Sequence, residues 1–113
     1  MADHIKIRPA NGTWVVRAGG AIIGESAKAL ELSEGDSPSV IYFPRNHIAM
    51  AFLEKTDSST RCPHRGAATY YTITSPGEQL IDAGWSYEAP PEDLAAIKDH
   101  LAFYTDRVTV EQL

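Results

Sequence analysis

Turn-forming residues punctuate this chain so regularly that most of it is left with room for short strands only. Gly19-Gly20, the run Glu34-Gly35-Asp36-Ser37-Pro38, Pro44, Pro63 with Gly66, Ser75-Pro76-Gly77-Glu78 and Pro90-Pro91 divide it. The runs between them are rich in β-branched and aromatic residues, which suit a pleated surface. Residues 4–8 alternate polar and apolar. Residues 13–18 and 21–26 flank Gly19-Gly20, a hairpin signal because both central turn residues need positive φ. That turn sets Val16 against Ile23 and Arg17 against Ile22. Residues 27–32 fit either a helical turn or an alternating strand. Residues 39–43 are β-prone up to Pro44, and residues 47–55 space Ile48, Met50 and Phe52 by two, as a half-buried strand does. The polar stretch 56–66 reads as a loop. Residues 67–74 form a strand, 75–78 a type II turn, and 79–87 the returning strand, with Ile81, Ala83, Trp85 and Tyr87 on one face.

One helix is expected, over about 91–103. Proline presets φ at its start, Glu92 and Asp93 suit its positive end, and Leu94, Ile97, Leu101 and Tyr104 form one apolar stripe. Residues 106–110 close the chain as a short strand. About seven strands and one helix predict a β-rich α+β fold, a curled antiparallel sheet or squat barrel packed on that helix. At 113 residues the chain reads as one domain over 1–113, long enough to bury roughly two thirds of its surface.

Composition narrows the functions open to it. With 43% hydrophobic and 22% charged residues the chain is globular, not disordered. Ten basic against fifteen acidic residues give a net charge of −5 without a basic block, which argues against nucleic acid and against an anionic membrane surface. No apolar run reaches the ~20 residues of a membrane span. The opening residues MADHIKIRPA lack a signal-peptide core, so a soluble cytoplasmic protein is expected.

Several motifs can be rejected. Cys62-Pro63-His64-Arg65-Gly66 looks like the first ligand segment of a Rieske cluster, but the second cysteine that such a site requires is missing. Cys62 and His64 are two of the three or four ligands that zinc needs, and His4, His47 and His100 have no ligand-like spacing, so neither metal nor other cofactor is expected. Gly19-Gly20 precedes strand-like sequence rather than the helix of a phosphate loop, and no GxSxG elbow occurs. Glu25, Glu31, Glu34 and Asp36 form neither the Asp-x-Asp nor the Asp-x-Glu pair of a nucleotidyl-transfer site.

Four segments together resemble a family. Phe43-Pro44-Arg45, then Thr60-Arg61-Cys62-Pro63-His64-Arg65-Gly66-Ala67-Ala68-Thr69-Tyr70, then Trp85-Ser86-Tyr87 with Pro90, then residues 100–104 (His-Leu-Ala-Phe-Tyr), resemble the domain of unknown function 427 family in order and spacing. The specific part is the Thr-x-Cys-Pro-x-basic-Gly-x-Ala-x-Tyr core. His64 stands where that pattern more often has Tyr, and Arg65 where it often has Lys. The resemblance implies a compact, β-rich, bacterial or fungal domain without an established activity, of a tent-like kind also seen in methionine sulfoxide reductase B.

The residues leave three functions open. Arg61 and Arg65 are the densest positive pair in an acidic chain, and Gly66 beside them lets a ligand approach backbone N–H groups. Tyr42, Tyr70, Trp85 and Tyr87 can wall a planar ligand or simply pack the core. Together they make a site for a small anionic or nucleotide-like ligand at the Arg61–Gly66 loop. Alternatively Cys62 is a redox or nucleophilic centre, its thiolate favoured by the basic neighbours, with His64 as acid or base. In the third reading the cluster only braces a structural or protein-interaction module, the arginines pairing internally with Asp57 or Asp82 and Cys62 packing as a small buried residue.

Overall fold

The computed structural model describes residues 4–113. Among the described residues, ten strands form three antiparallel sheets. Strands β1 (Ile5–Pro9), β4 (Leu30–Glu34) and β5 (Val40–Tyr42) make the first, in the order β1-β4-β5. Strands β2 (Trp14–Ala18), β3 (Ala21–Ser26) and β10 (Thr109–Gln112) make the second, in the order β10-β2-β3. The third runs β6 (Leu53–Cys62), β7 (Gly66–Ser75), β8 (Glu78–Tyr87) and β9 (Ala102–Phe103). None closes into a barrel, a correction to the squat-barrel expectation. The four-stranded sheet ends on the largely exposed β6 at one side and on the two-residue β9 at the other.

Both tight turns behave as their residues require. Gly19 and Gly20 have φ of 56° and 81° between β2 and β3. Arg17 faces Ile22 as expected, but a bulge sets Val16 opposite Gly24 instead of Ile23. Gly77, with φ of 80°, follows Pro76 in the β7–β8 turn, the pattern of a type II turn. Of the ambiguous stretch 27–32, residues 30–32 belong to β4, and 27–29 are an irregular connection from β3.

The helix over 91–103 does not form. A 3₁₀ segment covers Glu92–Ile97 only, and Leu94 inside it has non-helical angles of −116° and 21°. Asp99 then takes a left-handed φ of 62° and turns the chain along β8. The reason is hydrogen bonding at a sheet edge. Residues 99 and 104 donate backbone N–H bonds to Tyr87 and Ala83 at 3.1 and 2.9 Å, and Leu101 exchanges two backbone bonds with Phe43 at 2.8 and 2.9 Å. Edge carbonyls would otherwise lie unpaired, and an isolated helix this short is marginal. Leu94, Ile97 and Leu101 of the expected stripe are all buried, whereas Tyr104 is exposed.

Two further corrections concern strands. Residues 47–55 are not one strand. Arg45–His47 and Met50–Phe52 are 3₁₀ turns, and β6 starts at Leu53. The supposed loop 56–66 is mostly β6 itself, whose polarity is that of an edge strand facing solvent. Only Pro63, His64 and Arg65 connect Cys62 to its partner Gly66. Opposite Tyr70, β6 inserts Thr56, Asp57 and Ser58, and opposite Thr72, β8 inserts Ile81, Asp82 and Ala83. The Asp82 carboxylate accepts from the hydroxyls of Thr56 and Ser58 at 2.7 and 2.6 Å, tying the two bulges together across β7. The bulge, with Asp82 at φ of 54°, throws Ile81 outward, 63% exposed, against the expected inward face.

The core has two parts. Val16, Ile23, Phe43, Ile48, Ile73, Leu101 and Phe103 anchor one. Ile5, Leu32, Tyr42, Tyr87, Leu94 and Ile97 anchor the other, beneath the four-stranded sheet's β8 and the sheet of β1, β4 and β5. Each such side chain contributes roughly 1.5–3 kcal/mol on burial. No helix among the described residues is long and apolar enough to cross a membrane.

Candidate functional site

Alternation along a strand places every second side chain on one face. On β7 and β8 that face carries Tyr70, Trp85 and Tyr87, with Tyr70 directly paired to Trp85. Across from it stand Leu32, Glu34, Val40 and Tyr42 of β4 and β5. The space between is a cavity of about 390 Å³ that Thr60, Arg61, Cys62, Arg65 and Tyr104 also line. Six of the residues singled out as ligand-binding, namely Arg61, Arg65, Tyr42, Tyr70, Trp85 and Tyr87, thus meet at one place. Tyr42 and Tyr87 are also core residues, so part of the wall is rigid.

The aromatic wall is ordered by its own contacts. Trp85 and Tyr104 lie 4.6 Å apart by ring centroids, Tyr70 and Tyr104 stack nearly parallel at 6.4 Å, and Tyr42 meets Trp85 edge-on. Hydroxyls of Thr60, Tyr70 and Tyr104 form a chain at 2.9 and 3.2 Å. The Trp85 indole N–H donates to the Tyr42 hydroxyl at 3.4 Å. Burial pushes the Tyr42 phenol up to about 12. Burial, reinforced by the hydrogen bond to Tyr70, also raises Tyr104 to about 12.

The two arginines are not equivalent. Arg65 is ion-paired to Glu34, not to Asp57 or Asp82, and its Nε donates to the Tyr87 hydroxyl at 3.2 Å, with the guanidinium 5.6 Å from the Tyr87 ring centre. Burial works to raise the Glu34 carboxyl, but hydrogen bonds and charge from Arg65 and His4 outweigh it and hold Glu34 below the usual carboxylate range. Arg61 is exposed and has no ion pair among the described residues. Two arginines against one carboxylate leave the cavity wall positive in a protein of net charge −5.

A family model described as a domain of unknown function, DUF427, matches residues 6–112. The chain belongs to the DUF427 family. No curated protein matches it. The DUF427 match spans every strand from Lys6 in β1 to the end of β10, and so takes in every element that builds the cavity.

Other singled-out residues fall elsewhere. Gly66 does not line the cavity. Its φ is 90°, and a Cβ there would meet the Ala89 carbonyl at 3.4 Å, so glycine serves the hairpin's left-handed position rather than a ligand's approach. Cys62 is half-buried on the cavity wall. His64 is exposed in the hairpin tip, its ring 5.1 Å from that of His4. Glu34, Thr60 and Tyr104 line the cavity but were not picked as binding residues, although Thr60 and Tyr104 lie in the segments that carry the family resemblance. Glu34 sat in a run that reads as loop, and Tyr104 in the stripe of a helix.

Arg45 of the Phe-Pro-Arg segment lies on the other side of the β7–β8 layer. Its guanidinium donates to the Asp99 carbonyl at 3.0 Å, the Tyr71 hydroxyl at 3.0 Å, the Ser86 hydroxyl at 3.2 Å and the Glu88 carboxylate at 3.1 Å. Tyr71 donates to the same carboxylate at 2.6 Å. Burial tends to raise Glu88, yet the Tyr71 hydrogen bond and the Arg45 and Lys55 charges hold it low. With its three nitrogens occupied, Arg45 fixes the sheet that carries Tyr70 and Trp85 from behind.

Proposed function

We propose that this DUF427 protein binds a small organic anion bearing a flat ring, such as a nucleotide-like acid, in the cavity between β4–β5 and β7–β8. The observation that carries this reading is the convergence of Arg61 and Arg65 with five aromatic side chains on one cavity of about 390 Å³, within the range of small-ligand sites. Arg61 supplies the uncommitted charge. Arg65, held by Glu34 and Tyr87, is a pre-oriented donor. Tyr70, Trp85 and Tyr104 enclose the ring. The acidic remainder of the surface disfavours extended polyanions, whose further charges would be repelled.

A second reading has one specific observation in its favour. Cys62 lies on the same wall, where a thiol acting on a bound anion would stand. The partner imagined for it, His64, lies outside the cavity lining, so any base would have to be another group.

The test is thermal unfolding and calorimetry with inorganic phosphate and a nucleoside monophosphate at fixed ionic strength. Binding restricted to the folded state adds about 2.7 kcal/mol at a hundredfold excess over Kd. The nucleotide is expected to raise Tm more than phosphate does, Arg61→Ala to remove both shifts, and Cys62→Ser to leave them. No shift at millimolar ligand, or a shift that survives Arg61→Ala, overturns the reading.

A further inference from the structure

We infer that His4, Glu34 and His64 form a binding site for one divalent transition-metal ion, zinc in the first instance, at the rim of the cavity. Along the chain these residues have no ligand-like spacing, which is why histidine arithmetic predicts no metal. The fold brings them together from three segments. His4 immediately precedes β1, Glu34 ends β4, and His64 is the middle residue of the β6–β7 turn. The Gly35 backbone N–H donates to the His4 carbonyl at 3.1 Å and so locks the first two side by side. One donor atom from each of the three lies within 4.8 Å of the others.

The geometry is close to that of a bound ion. Donors around tetrahedral zinc, at bond lengths of about 2.1 Å, lie roughly 3.4 Å apart. His4 Nε2 and Glu34 Oε2 are already 3.2 Å apart. The His64 ring stands edge-on to His4, at 86° with centroids 5.1 Å apart. Both imidazoles are exposed, and rotation about their side-chain bonds is the movement that would bring donor atoms now within 4.8 Å of one another onto one ion.

The ligand chemistry also suits. Two imidazoles and one carboxylate are a three-ligand set of the kind that leaves a further position open to water or substrate. Glu34 has the outer support that metal-binding carboxylates commonly have. Arg65 occupies Oε1, which orients the carboxylate and leaves Oε2 turned toward the histidines. Since Glu34 lines the cavity as well, the ion would sit at its edge. The site shares Glu34 with the anion reading, where that carboxylate holds Arg65, but uses neither Arg61 nor an aromatic wall residue, so the two are tested by different variants.

The experiment uses the untagged full chain, freed of chelators. Zinc is titrated by calorimetry and cobalt(II) by its visible absorption. One ion per chain at micromolar Kd is expected, with a cobalt spectrum of nitrogen and oxygen ligation. His4→Ala and His64→Ala should each weaken binding at least about tenfold, whereas His100→Ala should not. Unchanged binding in the His4→Ala/His64→Ala double variant overturns the site, as does a thiolate-to-cobalt charge-transfer band lost in Cys62→Ser. Absence of saturable zinc binding in the titration overturns it too. Thermal melts of the variants show whether each remains folded, and both histidines are surface residues whose removal leaves the core intact.

Discussion

Glu88 receives a hydroxyl bond from Tyr71 and a guanidinium bond from Arg45, and these two donors also touch each other. Removing the arginine would strand a partly desolvated carboxylate and uncap the Asp99 carbonyl and the Ser86 hydroxyl. Arg45→Ala is therefore expected to destabilise by about 2 kcal/mol, less than for a fully buried pair because both side chains keep some solvent contact. Arg45→Lys should recover little, since a single ammonium cannot span four acceptors fixed around a planar fork. Urea unfolding measures both, and a loss below about 0.5 kcal/mol for Arg45→Ala, the scale of an ordinary surface change, would contradict the bracing role. At this scale the sequence was partly readable. Arg61, Arg65, Tyr42, Tyr70, Trp85 and Tyr87 could be picked out by type and position. Glu34 could not, because nothing local distinguishes a carboxylate that will face an arginine 31 positions away.

The β6–β7 hairpin shows how an element imposes its own residue requirement. Three residues join Cys62 to Gly66, and the last step back into the ladder needs the left-handed φ of 90° found at Gly66. Space is not the obstacle there, because a Cβ would make ordinary contacts only. Gly66→Ala should cost about 1–2 kcal/mol through backbone strain alone, read as a lower urea midpoint with an unchanged slope. Since Arg65 precedes Gly66, hydrogen exchange at the hairpin tip should also quicken. Full stability in Gly66→Ala would show that the turn has another available geometry. Elements with a strong local code, such as the Gly19-Gly20 and Pro76-Gly77 hairpins, were legible. The segment 91–103 was not, because its apolar spacing of three and four suits a helix and equally a 3₁₀ turn followed by an edge strand. Unpaired carbonyls on β8 decided between them. The polar β6 misled for the converse reason, since an edge strand facing water has a loop's composition.

Across the whole molecule, proton linkage sets the pH range of stability. Glu34, Glu88 and Asp82 all titrate lower in the folded chain than in the unfolded one. The unfolded state thus binds more protons in the acid range, and stability falls with decreasing pH. Their contribution is present above the ordinary values, 4.5 for the two glutamates and 3.8 for Asp82, and is lost as pH drops through the lower folded values. Tyr42 and Tyr104 act at the other limit. Their phenols are raised from 10.0 to about 12, so unfolding releases protons above the lower value and stability declines as pH rises between the two. Stability measured by urea titration should form a plateau at neutral pH with both flanks falling. Glu88→Gln is expected to reduce the acid slope, and Tyr42→Phe the alkaline one. An acid flank unchanged by Glu34→Gln and Glu88→Gln together would show that other groups govern it.

By itself the sequence determined the β-rich character, the two glycine-bearing hairpins, the family resemblance and the identity of half the side chains on the cavity wall, both arginines among them. These follow from local causes, namely the steric limits on φ, the two-residue period of strands and residue type. Tertiary structure alone decided that 91–103 is no helix, that the sheets stay open, that Arg65 is bound to Glu34 while Arg61 is uncommitted, and that His4 meets His64. Each of these depends on which distant backbone or charge lies alongside. Such pairings are selected by the summed burial and hydrogen bonding of the entire fold, which no window of neighbouring residues encodes.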